Sequence, residues 1–270
     1  MDRGVELSEE SPPGLVAARR QRQRWWRVAS MTGRADLHVH SLWSDGAQRP
    51  SAIVRAAVGR VNVVAITDHD EIRGAQDARA YALDHPHLGV DVVVGEEIST
   101  LNGHLLGLYL SERVPPGLSA RESIALIHDQ GGLAVAAHPF HPLRGSARGY
   151  PTVGQLVPDL SLDALEVVNN AGVFSWLYDA WAALRNVEWA LPVTAGSDAH
   201  DVWYLGSAAT RFAGRSAADL RRALEKGRTR AQVSWSWSAD KLPRHLHIQT
   251  RSLIRFLKLR GQRRRLASMP

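Results

Sequence analysis

In the stretch ADLHVHSLWSDG, His38 and His40 are separated by one residue and Asp45 follows five positions later. Further along, the same residue types recur in short polar clusters that close apolar runs. They are Asp68 and His69 in ITDHD, Glu97 in GEEIST, His138 in AHP, and Asp198 with His200 in GSDAH, while His104 opens the run GHLLG. Imidazole and carboxylate groups without thiolate suit zinc, manganese or iron and do not separate them. A lone histidine in an apolar strand is ordinarily a hydrogen-bonded core residue. Five strands that each end in such groups are hard to explain that way, because charges buried side by side are costly unless something neutralises them. The pattern therefore points to a metal centre.

The elements that must carry these residues alternate along the chain. Short apolar runs at ADLHVH, VNVVAITDH, VDVVVGEEI, GHLLGLYL, LAVAAHP, ALEVVN and LPVTAGSDAH predict strands. Helical patterns lie between them at PSAIVRAAVGR, EIRGAQDARAYALDH, SARESIALIHDQGG and SAADLRRALEKGR, several opening on Ser or Pro and stopping at Gly. Repeated strand–helix units predict an α/β protein with a mostly parallel sheet. In such a barrel or sheet the carboxyl ends of the strands converge on one crevice, so the separate clusters become one.

Composition narrows the function. There is no cysteine, hence no disulfide framework and no thiolate nucleophile, and no Ser sits in a Gly-x-Ser-x-Gly elbow. No apolar run approaches membrane-spanning length and no secretory h-region is visible, so the expected location is cytoplasmic. The net charge of +6 is unevenly spread: residues 35–240 carry 17 basic and 23 acidic side chains, while 241–270 carry nine basic and no acidic ones. A basic arm over 1–33, with Trp25 and Trp26 among its arginines, precedes the body, and Met31 is an alternative translation start. The last segment, 234–270, holds an amphipathic pattern in which Leu246, Leu253, Ile254 and Leu257 share a face opposite Arg251, Arg255 and Lys258. Packing against the body explains this face, and so does binding to nucleic acid or a membrane surface. Trp235 and Trp237 alternate like a half-buried strand.

The ordered motifs DLHVHSLWSDG, ITDHD, GEEIST, GHLLG, AHP and GSDAH resemble those of the PHP (polymerase and histidinol phosphatase) superfamily, over residues 35–230. The resemblance implies a distorted (β/α)7 barrel over 34–233, with two to three divalent ions (Mn, Fe or Zn) at the carboxyl ends of the strands. It implies one metal held by His38, His40, Glu97 and Asp198, a second by Glu97, His104 and His138, and a third by Asp45, His69 and His200. Asp68 is expected to orient a ligand.

The chemistry implied is hydrolysis of a small phosphate monoester, nucleotides included, by a metal-bridging hydroxide. Beyond His138, the loop AHPFHPLRGSARGYP offers His141 as a proton donor to the leaving group and Arg144 and Arg148 as phosphate ligands. Glu166 and Asn169 stand near another strand end, where either could touch a substrate hydroxyl. Two alternatives remain: a hydrolase of a non-phosphate ester such as a carbamate, and a nucleic-acid or membrane-associated binding protein that retains the body.

Overall fold

The computed structural model describes residues 32–141, 149–170, 172, 175–234, 242–248, 250–252 and 254. Arg144 and Arg148, the arm with Trp25 and Trp26, Trp235 and Trp237, and Leu253, Arg255, Leu257 and Lys258 lie outside the described residues.

All seven expected strands form, as β1 (Gly33–Val39), β2 (Val63–Ile66), β3 (Asp91–Thr100), β4 (Gly103–Leu108), β5 (Leu133–Ala136), β6 (Ala164–Asn169) and β7 (Val193–Gly196). They stand side by side in chain order, and β8 (Ala208–Phe212) and β9 (Arg230–Val233) continue the sheet beyond β1. β1, β2 and β3 run parallel, β4 is reversed, and β5, β6 and β7 resume the first direction. The sheet nearly closes at one end, where His40 N donates to Ala199 O (2.9 Å) and Ala199 N to His38 O (3.2 Å). At the other end β8 pairs antiparallel with β1 and wedges the seam. The alternation of strand and helix is interrupted at β3–β4, a hairpin with no helix in it. The reversal has a use: His104 begins β4 and so lies at the same end as Glu97 in β3.

Apolar residues divide into two layers. Val64, Ile66, Val92, Ile98 and Leu165 pack outward against α1 (Pro50–Ala57), α2 (Arg73–Asp84), α3 (Ala120–Asp129) and α5 (Ser175–Trp189), a short α4 (Val153–Leu156) preceding the last. Ala35, Leu37, Val63, Ala65, Val93, Leu106 and Val135 fill the interior with Phe212. Leu220 and Leu224 of α6 (Ala217–Glu225) join this interior layer. Tyr109 Oη and the Asp91 carboxylate bind the first turn of α6, so it plugs the end opposite the strand carboxyl termini. α3 and α6 begin in capping boxes, Ser119 with Glu122 and Ser216 with Asp219. Among the described residues no helix is long and apolar enough to cross a membrane.

A helical segment over 242–248 and 250–252 follows the sheet. Its buried positions are His245, Ile248 and Ser252, whereas Leu246 and Ile254 are 56% and 48% exposed. The face expected from the leucine and isoleucine spacing is therefore not the packed one. Polar partners on the body select another face. Tyr204 Oη lies 2.7 Å from His245 Nδ1, and Ser252 Oγ donates to an Asp45 carboxylate oxygen at 3.1 Å. The Arg244 guanidinium also lies over the Trp203 ring, 4.5 Å from its centre.

Burial holds the His245 pKa at about 4 against an ordinary 6.5, so between those values the undocked helix binds a proton that the docked one does not. Docking is thus strongest above pH 6.5 and weakens as the pH falls toward 4. Amide protection across 242–252, taken relative to the intrinsic exchange rate at each pH, should fall over that interval while protection in β2 and β3 stays high. A segment equally protected at pH 4.5 and 7 would contradict this.

Candidate metal centre

Each polar cluster emerges where its strand ends. His38 is the next-to-last residue of β1 and His40 follows it, Asp68 and His69 follow β2, Glu97 lies within β3, His138 follows β5, and Asp198 and His200 follow β7. In β1 a strict period of two would put His38 on the face opposite Leu37. The pairing of β1 with β2 slips by one residue between Asp36 and Val39. This bulge lets Leu37 face the interior and turns His38 and His40 inward as well. A second slip, in β6 against β7, falls between Glu166 and Val168 and brings Glu166 and Asn169 to one face.

The nine expected ligand residues meet in one place. Glu97, with no solvent exposure, is contacted by five imidazoles. Its Oε1 lies 2.6 Å from His104 Nδ1 and 2.9 Å from His138 Nε2, and its Oε2 lies 3.1 Å from His38, 3.3 Å from His40 and 3.3 Å from His69. Asp198 Oδ1 stands 3.1 Å from His40 Nε2, and Asp45 Oδ2 stands 3.1 Å from His200 Nε2. The potential ligand atoms fall into four sets, each within 4.8 Å: His40, Asp45, His69 and His200; His38, His40 and Asp198; His38, Glu97 and His138; and His69, Glu97 and His104. Around the shared Glu97 the structure thus groups His138 with His38 and His104 with His69. Glu96 points the other way, where its carboxylate accepts from Val114 N and burial lifts its pKa to about 8.

The donor set fits divalent cations. Among the described residues, His38 Nε2, His40 Nδ1 and Nε2, and Glu97 Oε2 are buried without a well-formed hydrogen bond, although Glu97 Oε2 lies within 3.3 Å of both rings. Atoms so placed share a centre instead of pairing off. The electrostatics agree. Burial would keep the His38 and His40 rings neutral, yet Asp198 and Glu97 overcome it, raising His38 well above its ordinary value and His40 to about 10. Burial would likewise protonate Glu97, but His69, His104 and His38 hold it well below the carboxylate range. His69 is pushed down to about 4, chiefly by burial. The cluster calls for positive charge, and protons on the imidazoles are one source of it.

Surrounding groups fix the ligands. Glu166 Oε1 lies 3.1 Å from His38 Nδ1, and Glu166 Oε2 accepts from His138 N and Asn169 Nδ2. Asn169 also reaches Asp198 Oδ2 at 3.3 Å. Both residues, expected beside a substrate hydroxyl, are buried behind the ligands and border a cavity of only about 10 Å³, room for one water. Asp68 accepts from Ser41 N, Ser41 Oγ and Ser44 Oγ, clamping the loop that carries His40 and Asp45. His141 lies with its ring centre 6.0 Å from that of His138 and 5.5 Å from that of Tyr178. Sequence reasoning missed Asp36, which accepts from Ser197 N, Ser197 Oγ and Gly206 N and so locks the Asp198 segment against β1. A carboxylate inside an apolar strand was the available signal. His138 and Asp198 adopt left-handed φ values of 28° and 50°, strain that concentrates at functional sites. At Gly196 any Cβ would collide with His38, so only glycine lets β7 approach β1 this closely.

Residues 184–229 match a family model described as PHP-associated. The chain is 38% identical over 148 residues to an uncharacterized protein of Methanocaldococcus jannaschii, covering 50% of this chain and 81% of that one. It is 38% identical over 90 residues to a 5'-3' exoribonuclease of Haemophilus influenzae, covering 32% of each. It is also 35% identical over 94 residues to a 3',5'-nucleoside bisphosphate phosphatase of Chromobacterium violaceum, covering 33% of this chain and 32% of the phosphatase. In fold it is similar to a two-domain protein of Bacteroides vulgatus that contains a predicted PHP-like metal-dependent phosphoesterase, with a TM-score of 0.61 at 21% identity, covering 74% of this chain and 64% of that one. The chain belongs to the PHP superfamily. The two enzymes it matches are hydrolases acting on phosphoester bonds, and it spans about a third of their length.

Replacing Glu166 with Gln removes the charge that orients His38. Metal affinity should fall about 10- to 100-fold, as read by chelator competition, with the far-ultraviolet spectrum unchanged. An unaltered affinity would show that the Glu166–His38 contact does not tune the centre.

Proposed function

We propose that the protein is a metal-dependent phosphoesterase acting on small phosphate monoesters, nucleotides among them. The observation that carries the reading is the convergence of six imidazoles and three carboxylates, from six strands and the loops beside them, on one buried point around Glu97. On this reading His38, His40, Glu97 and Asp198, then His104 and His138, then Asp45, His69 and His200 hold two to three cations. When bound, such cations lower the pKa of a water and offset charge growing on phosphoryl oxygens.

The chain's own part is to fix that geometry. Glu97 spans the cluster with both carboxylate oxygens. Glu166 and Asn169 hold His38 and Asp198 in place, and Asp68 secures the loop of His40 and Asp45. On this reading His141, whose ring lies beside that of His138, hands a proton to a departing alkoxide. Similarity to a nucleoside bisphosphate phosphatase and to an exoribonuclease supports a phosphate ester as the substrate class. Arg144 and Arg148, which follow His141 in the sequence, complete the reading as phosphate ligands.

Metal-free protein reloaded with Mn, Fe or Zn should release phosphate from nucleoside monophosphates or bisphosphates in a panel that also holds histidinol phosphate, short oligonucleotides and an aryl carbamate. Glu97→Gln should lower that activity by more than about 1000-fold, since one change disrupts a ligand shared by several cations. Turnover of the carbamate alone would contradict the phosphoesterase reading.

A further inference from the structure

The C-terminal helix delivers side chains to the rim of the cluster that none of the metal-centre motifs contains. Ser252, buried, donates to Asp45 Oδ2 at 3.1 Å. Arg251 precedes it and faces a cavity of about 290 Å³ whose walls include Asp45, His200, Asp201, Ile248 and Ile254. One wall of this space therefore belongs to the candidate ligands and the opposite wall to the helix. Arg251 is the one Arg or Lys among the described residues that line it. Two contacts on the same helix, His245 with Tyr204 and Arg244 with Trp203, hold it against the segment that follows His200.

We propose that this helix is part of the active site, that Arg251 binds an anionic oxygen of the substrate beside Asp45 and His200, and that Ser252 positions the Asp45 carboxylate. The inference rests on the phosphoesterase reading and names a residue that would recognise its substrate. A guanidinium suits the task because its planar fork donates two hydrogen bonds to a phosphate while remaining charged. Ile248 and Ile254 flank it in the same cavity wall. The acidic wall explains why a guanidinium is needed here: without it, a phosphate entering the cavity would meet the carboxylates of Asp45 and Asp201 beside His200. The basic character of the C-terminal segment then serves the reaction centre through at least this one arginine.

The test uses the full chain loaded with manganese and inorganic phosphate as the probe, with binding read by calorimetry and metal content measured on the same samples. Arg251→Ala should weaken phosphate binding about 10- to 100-fold with metal content unchanged, and Arg251→Lys should recover part of the loss. His245→Ala, which frees the helix and keeps Arg251 in the chain, should reproduce the loss. On any phosphoester that turns over, Arg251→Ala should raise KM more than it lowers kcat. Phosphate binding equal to wild type in Arg251→Ala, loss of metal in step with loss of phosphate, or no phosphate binding by the wild type would overturn the proposal. Absence of turnover on every phosphoester, with Arg251-dependent phosphate binding intact, would instead count against the phosphoesterase reading alone.

Discussion

The Glu97 carboxylate is removed from water and faces five imidazoles. A buried carboxylate with no compensating charge is unstable, and a cluster of buried imidazolium groups without carboxylates is equally so. Only a neutralised arrangement folds, and three carboxylates among six histidines leave room for cations to supply the balance. Much of the surrounding architecture serves that requirement. The bulge in β1 turns two histidines inward, the reversal of β4 brings His104 to the working end, and Gly196 lets β7 close on His38. Glu166, Asn169, Asp68 and Asp36 occupy the next layer, each tying a ligand or its loop to another strand.

The strands and their polar ends were legible because alternation and chain order carry both signals. All seven runs formed strands, and the residues that closed them met at one end of the sheet. What the sequence did not reveal is register. A one-residue slip reverses the face of every later side chain, and neither the β1 nor the β6 slip has a glycine or turn signal to mark it. That is why Glu166 and Asn169 read as groups facing a substrate, whereas pairing with β7 turns both toward His38. Helix α5 escaped notice for a different reason: Trp176, Leu177, Trp181, Leu184 and Val187 are exposed, so its apolar pattern does not describe its buried face. β8 and β9 are short, five and four residues, and too brief for a clear alternation of polar and apolar side chains.

The C-terminal segment shows how polar partners override apolar spacing. Leucine and isoleucine positions suggested one packed face, but a hydroxyl–imidazole bond at His245 and a hydroxyl–carboxylate bond at Ser252 select its neighbour. Packing on the body, one of the two roles read from the sequence, is what the described part of the helix shows. Its place beside Asp45 and His200 gives that packing a consequence at the reaction centre, since the helix forms a wall of the same cavity.

Nine side chains from across the chain meet in one cluster suited to divalent cations. Crystals of the full chain soaked in manganese, with anomalous scattering recorded at the metal edge, test it most directly. Two or three anomalous peaks should lie within coordination distance of Glu97, Asp198, Asp45 and their histidines. A map without peaks there, from protein whose cluster side chains are otherwise ordered, would contradict it.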